Sequence, residues 1–170
     1  MQEMTIYGVS FDLVGKQPIV LLKTADGNKF LPIWIGHAEA AAILMKLQSQ
    51  TSPRPMTHDL FSEVLEQLGA QLVRVTITEL RENTFYAQIT FQAEGQELEV
   101  DSRPSDAIAL AIRAEAPIFA AEQVIEESAI EFEGEEVNEE QLEAEVSRFR
   151  NFLEDVTPDQ FAEVEGEEED

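Results

Sequence analysis

Apolar and polar residues alternate loosely along Met4–Phe11, and Pro18–Lys23 is a short β-branched and leucine run. Both patterns predict strands. Asp26-Gly27-Asn28 is a turn signal, because Gly and Asn tolerate positive φ, and Phe30–Ile35 returns as a third strand. The three runs give a hairpin of 18–24 with 29–35, and Pro32 places the returning strand near an edge or a bulge. Gly36 ends it. Ala38–Leu47 then has high helix propensity, with a predicted apolar face through Ala41, Leu44, Met45 and Gln48. After a Pro-rich loop at 49–56, Thr57 is placed to cap a second helix. That helix carries Leu60, Phe61, Val64, Leu65 and Leu68 at helical spacing, and Gly69 ends it. Gln71–Leu80 and Thr84–Ala93 read as strands turning at Arg81-Glu82-Asn83, and Gln96–Val100 alternates again. Ser102 stands as cap before a third helix, Ala107–Ala114, which is apolar almost all round and therefore expected to be buried. Pro117–Phe119 is a short apolar segment, and 121–128 a brief helix or turn. The order β-β-β-α-α-β-β-β-α with hairpin connections predicts an α+β fold, with a largely antiparallel sheet and buried helices.

Composition changes this picture mainly at the C-terminus. The chain has 170 residues and a formal charge of −24. Residues 1–120 hold 9 Lys and Arg against 15 Asp and Glu, a net of −6, whereas 121–170 hold 2 against 20, a net of −18. We therefore divide the chain into a domain at 1–133 and an acidic tail at 134–170. Within the tail, Leu142, Val146, Phe149, Phe152, Leu153 and Val156 recur at helical spacing, which predicts one acidic amphipathic helix at about 139–156. The end, 163–170, is expected to be disordered. The absence of cysteine excludes a disulfide scaffold, a thiol nucleophile and Cys-ligated metal sites. The start lacks a signal-peptide pattern and no run is long enough for a membrane span, so a cytoplasmic protein without a membrane partner is expected. The acidity argues against wrapping duplex DNA, since affinity there comes largely from Lys and Arg. Walker A, G-x-G-x-x-G, H-E-x-x-H and G-x-S-x-G patterns are all absent.

Three clusters concentrate the chemistry: Gly36-His37-Ala38-Glu39; Arg54 through Asp59, with His58; and Asp101 through Asp106. The last two echo each other, each placing Arg-Pro and an aspartate before or in a first helical turn. Two functional readings fit these residues. In one, the carboxylates Glu39, Asp59, Asp101 and Asp106 hold a hard cation such as Mg²⁺, with His58 as general base. In the other, Arg54 and Arg103 sit beside free N–H groups at helix starts and bind an anion such as phosphate. A purely structural reading stands beside both. Asp59 and Asp106 lie in first helical turns, where a carboxylate offsets the dipole by about 0.3–1 kcal/mol and a cation is disfavoured. Arg54 and Arg103 are the expected partners of those aspartates. Trp34, in an apolar strand, reads as core.

The runs FLPIWIGHAEAAAI (30–43), RPMTHDLFSEVLEQLGA (54–70), NTFYAQI (83–89) and DSRPSDAIALAIRAEAPIFA (101–120) closely resemble the bacterial and plant bifunctional nuclease family. The resemblance covers roughly residues 4–130. It implies an α+β domain that forms homo-oligomers, a dimer being favoured, and nuclease activity on DNA and RNA. The motif residues it carries over are Glu39, Arg54, His58, Asp59, Asp101, Arg103, Ser105 and Asp106. Our assignment within that set makes His58 the base and Glu39 with Asp101 catalytic residues and ligands of Mg²⁺ or Mn²⁺. Arg54, Arg103 and Ser105 bind phosphate, while Asp59 and Asp106 support them. The competing expectation is a non-catalytic regulatory or phosphometabolite-binding protein.

Overall fold

In the computed structural model, which describes residues 1–131 except 13, 14 and 28, the chain opens with three strands, β1 (Gln2–Asp12), β2 (Gln17–Thr24) and β3 (Lys29–Trp34). Two helices follow, α1 (His37–Leu47) and α2 (Thr57–Gln67), and then β4 (Gln71–Arg81), β5 (Thr84–Ala93) and β6 (Gln96–Ser102). The chain continues through α3 (Pro104–Ala114), β7 (Ile118–Ala120), α4 (Glu122–Ser128) and β8 (Ile130–Glu131). The fold is α+β. The helix expected at 139–156 and the acidic end at 163–170 lie outside the described residues.

The eight strands of the described residues form one sheet in the order β6-β5-β4-β7-β1-β2-β3-β8. Two antiparallel meanders, β1-β2-β3 and β4-β5-β6, are joined through short β7, which pairs parallel to β4 and antiparallel to β1. The hairpins form where the turn chemistry requires. Gly27 has φ +82°, and Glu82 and Asn83 take φ of 50° and 59°, the left-handed pair of a tight turn. Each meander is followed by a helix, so the first 114 residues hold two β-β-β-α units with α2 between them. The structure aligns Gly36–Glu39 with Arg103–Asp106, both leading from a third strand into a helix. The sequence echo had paired 103–106 with the start of α2 instead.

One face of the sheet is covered. Val20 and Leu22 on β2, Leu31 and Ile33 on β3, Val75 and Ile77 on β4 and Ala87 and Ile89 on β5 are all buried. α1 and α3 pack together over this face, and α2 packs on α3. α3 is buried along most of its length, as expected, and Ala107, Ala109 and Ala111 let neighbouring backbones approach closely. The buried side of α1 runs through Ala40, Ile43 and Leu44, a turn of about one residue from the face expected.

Three local expectations are corrected. Trp34 is half exposed rather than core, since its partner in register is Ile19 on the face away from the helices. Thr57 does not cap α2; Met56 holds the extended N-cap position and Thr57 is the first helical residue. Ser102 ends β6, and Arg103 is the N-cap of α3 with Pro104 in its first turn. Pro32 lies where expected. Among the described residues β8 is two residues long and pairs with Lys29 and Phe30, so Pro32 on β3 has no strand partner on its outer side. Among the described residues no helix is long and apolar enough to cross a membrane.

Candidate functional site

The three long helices share one start. α1, α2 and α3 each begin after a residue in extended conformation, namely Gly36, Met56 and Arg103, none of which caps through its own side chain. Each carries an acid at the third helical position: Glu39, Asp59 and Asp106. A carboxylate there faces unpaired N–H groups and the positive helix end. Asp59 shows the local result, as its Oδ2 accepts the Met56 N–H at 3.0 Å. Gly36 matters because the Glu39 carboxylate folds back over it; a Cβ at Gly36 would lie 3.1 Å from Glu39 Cδ.

These acids link the helices to one another. Arg103 Nη2 lies 2.9 Å from Glu39 Oε1, and Arg103 Nε donates to Asp106 Oδ2 at 2.8 Å. The other Asp106 oxygen, Oδ1, faces His58 Nε2 at 2.9 Å. Glu39, Arg103, Asp106 and His58 therefore form one chain of contacts across the starts of α1, α3 and α2. Burial alone would raise the Asp106 carboxyl, but hydrogen bonds from His58 and Arg103 hold it below the ordinary carboxylate range. The same bond with Asp106 raises Arg103 above its ordinary value. An ionised carboxylate facing Nε2 favours the tautomer protonated there and leaves Nδ1 as the basic nitrogen. The Arg103 side chain is 67% exposed and that of His58 only 12%. The cluster thus presents a guanidinium to solvent above an oriented imidazole.

A second link was not anticipated. Arg113, near the end of α3, donates from Nε to Asp59 Oδ1 at 2.7 Å. It also donates from Nη1 to Ala109 O at 2.8 Å and from Nη2 to Ala42 O at 3.1 Å. Its side chain is 7% exposed, so one guanidinium ties α1, α2 and α3 together inside the fold. Asp59 is consequently paired with Arg113, not with Arg54. Burial acts to raise its carboxyl, and the Arg113 and Met56 hydrogen bonds outweigh this and lower it. The available signal was a cation on a helix apolar almost all round, which must find a carboxylate.

The remaining candidates do not join the cluster. Asp101 pairs in register with Gln88, on the sheet face away from the helices, where its charge acts on Arg81. Ser105 is buried among α3 residues and is not offered to a surface phosphate. Arg54 is exposed in the loop before α2, with no ion pair among the described residues. Glu39 and Asp101 are not brought to one point, and among the described residues no group of three or more His, Asp or Glu is placed to hold a metal ion. The Glu39 and Asp106 carboxylates are instead engaged by Arg103. A cavity of about 480 Å³ opens elsewhere between α2 and α3, lined by Leu65, Leu72, Leu110 and Arg113.

Residues 20–133 match the bifunctional nuclease domain. The chain belongs to that family. An uncharacterised protein of Mycobacterium tuberculosis is 39% identical over 164 residues, which cover 95% of this chain and 98% of that one. Bifunctional nuclease 1 of Oryza sativa is 32% identical over 103 residues, 58% of this chain and 31% of the rice protein. Bifunctional nuclease 1 of Arabidopsis thaliana is 28% identical over 105 residues, 59% and 32% of the two chains. The plant similarity is thus confined to about a third of each plant protein. As a bifunctional nuclease domain, this chain contributes the whole contact chain from Glu39 to His58 within the matched residues.

Proposed function

We propose that this bifunctional nuclease domain hydrolyses phosphodiester bonds in single-stranded RNA or DNA at the cluster of helix starts. The observation that carries the reading is the His58–Asp106–Arg103 chain: an oriented imidazole whose carboxylate partner also fixes a solvent-facing guanidinium. In this mechanism Arg103 holds the phosphate by a charge-assisted fork, with Arg54 of the adjacent loop as a second cation. His58 Nδ1 takes the proton of the attacking water or hydroxyl as its oxygen bonds to phosphorus and the P–O bond to the departing sugar oxygen breaks; Asp106 stabilises the resulting imidazolium, which returns the proton to that leaving oxygen. Glu39 keeps Arg103 in place. Mg²⁺ sites commonly combine one or two carboxylates with substrate phosphates. Glu39 is the ligand in this cluster that would serve such an ion, although its Oε1 already accepts from Arg103.

A second reading has its own support, since every carboxylate of the cluster is already neutralised and the region 1–120 carries a net charge of −6. In it, Arg103 and Arg54 bind a small phosphorylated metabolite without catalysis. Thermal-shift measurements with oligonucleotides and phosphometabolites at two salt concentrations separate the two. Salt-sensitive stabilisation by oligonucleotides supports the nuclease, and stabilisation by small anions alone supports the rival.

We also propose that the domain self-associates through α2. None of its residues is buried; Leu60, Phe61, Val64 and Leu68 face solvent, and the Phe61 ring lies 6.4 Å from that of Phe91, whose register partner is exposed Leu98 on edge strand β6. A contiguous apolar surface of this kind marks an interaction site, and the same patch on two copies closes a two-fold dimer.

A further inference from the structure

We propose that the acidic segment 139–156 docks, as a helix, on the open face of β2 and β3 and covers Trp34. The strip on β2 and β3 shares no residue with the cluster at the helix starts. Val20, Leu22, Leu31 and Ile33 fill the core, yet the alternate positions are apolar as well, with Ile19 opposite Trp34 and Leu21 opposite Pro32. Strands apolar on both faces are normally covered on both, but Trp34 is 51% exposed. At one end of this strip the face is already partly closed. The Phe30 ring is buried against Tyr7 at 5.1 Å, with Lys23 Nζ 5.5–5.6 Å from the two ring centroids.

Three observations select the occupant. The chain leaves the described fold at Glu131 on β8, which pairs with Lys29 beside this same strip. β8 runs antiparallel to β3, so the chain exits at the Lys29 end and must fold back to pass over Trp34. The seven residues 132–138 span at most about 23 Å, enough for that reversal. Trp34 lies five strand residues from Lys29, about 17 Å, and Phe149 lies ten helical residues past Glu139, about 15 Å. Leu142, Val146, Phe149, Leu153 and Val156 make one apolar row at this spacing. Charge favours the same arrangement. Residues 15–34 hold Lys16 and Lys23 against Asp26, with Lys29 already paired with Glu131 at 3.1 Å, whereas 132–170 hold 16 acids against Arg148 and Arg150. The other apolar surface, on α2 and β6, is a poor rival. Its helix carries the acids Glu63 and Glu66, and it lies seven strand positions from β8, about 33 Å.

Trp34 is the sole tryptophan, so the full chain carries its own probe. Acrylamide quenching of Trp34 is compared between the unaltered full chain and its F149D/L153D variant. The expected result is a quenching constant at least two-fold higher in the variant, with emission shifted to the red. Equal constants overturn the proposal. So does protection that persists in the variant, which would mean that something else covers Trp34, and so does protection lost on dilution, which would place the segment on a second copy. Limited trypsin digestion gives a second measurement on the unaltered chain. Docking predicts slow cleavage after Arg148 and Arg150, accelerated by K16E/K23E, whereas rapid cleavage in the unaltered chain overturns it.

Discussion

Replacing Asp59 with Ala is expected to destabilise the fold more than replacing Arg113 with Met, although the two side chains are partners 2.7 Å apart. The asymmetry follows from burial: the Arg113 side chain is 7% exposed and that of Asp59 41%. Arg113→Met removes a hydrogen-bonded charge but leaves Asp59 free to hydrate, and the methionine retains much of the apolar stem. Its cost is about 1–3 kcal/mol, since the charge-assisted bond to Asp59 is lost and the Ala42 and Ala109 carbonyls, both within helices, lose only a second donor. Asp59→Ala strands a guanidinium inside the fold with only the Ala42 and Ala109 carbonyls. Losing one partner of a buried pair costs about 3–5 kcal/mol. The lost hydrogen bond to Met56 N adds little, because Met56 is exposed and its N–H can bond to water. The double variant removes the stranded charge, so its cost should fall short of the sum by about 2–3 kcal/mol. Urea denaturation at pH 7 and one fixed protein concentration measures all four corners of the cycle. Costs additive within about 0.5 kcal/mol, or a costlier Arg113→Met, would refute the assignment of Arg113 as the buried tie.

Acid should weaken the fold through Asp59 and Asp106, whose folded values are lowered. Such groups stabilise above their ordinary pKa near 4, and the contribution is lost as pH falls through the folded values; Asp106→Asn should flatten that part of a stability–pH curve recorded by urea midpoints. Gly36→Ala should push the Glu39 carboxylate off Arg103. Because a flexible carboxylate can yield, the cost is about 0.5–1.5 kcal/mol, read as a small Tm loss that is absent when Glu39 is already Ala. Leu60→Asp with Val64→Asp should lower the mass measured by light scattering and leave the far-UV spectrum intact, since neither residue is buried; an unchanged mass would remove α2 from the interface.

Much of the fold was legible because local chemistry agreed with tertiary placement. Gly27 and Asn83 mark turns, and the alanines of α3 mark a helix fit for burial. The losses are non-local. Trp34 and Asp101 each depend on which sheet face an alternating strand turns toward the helices, and moving one position along a strand reverses the answer. The apolar row of α2 reads the same whether it packs inward or meets a partner, so its exposure was not legible. At the site, the gathering of Glu39, His58, Arg103 and Asp106 at helix starts was visible as types and spacing. The pairing was visible only in part: Arg103 with Asp106 is a neighbour three residues on, whereas Arg113 with Asp59 crosses 54 residues.

Single-turnover cleavage of end-labelled single-stranded RNA and DNA by the purified full chain and by His58→Ala, with matched urea midpoints, asks whether the oriented His58 imidazole moves a proton during phosphodiester cleavage. The rate for His58→Ala is expected to be lower by about 10²–10⁴-fold, the usual contribution of a positioned acid–base group. Equal rates for the two proteins would contradict it.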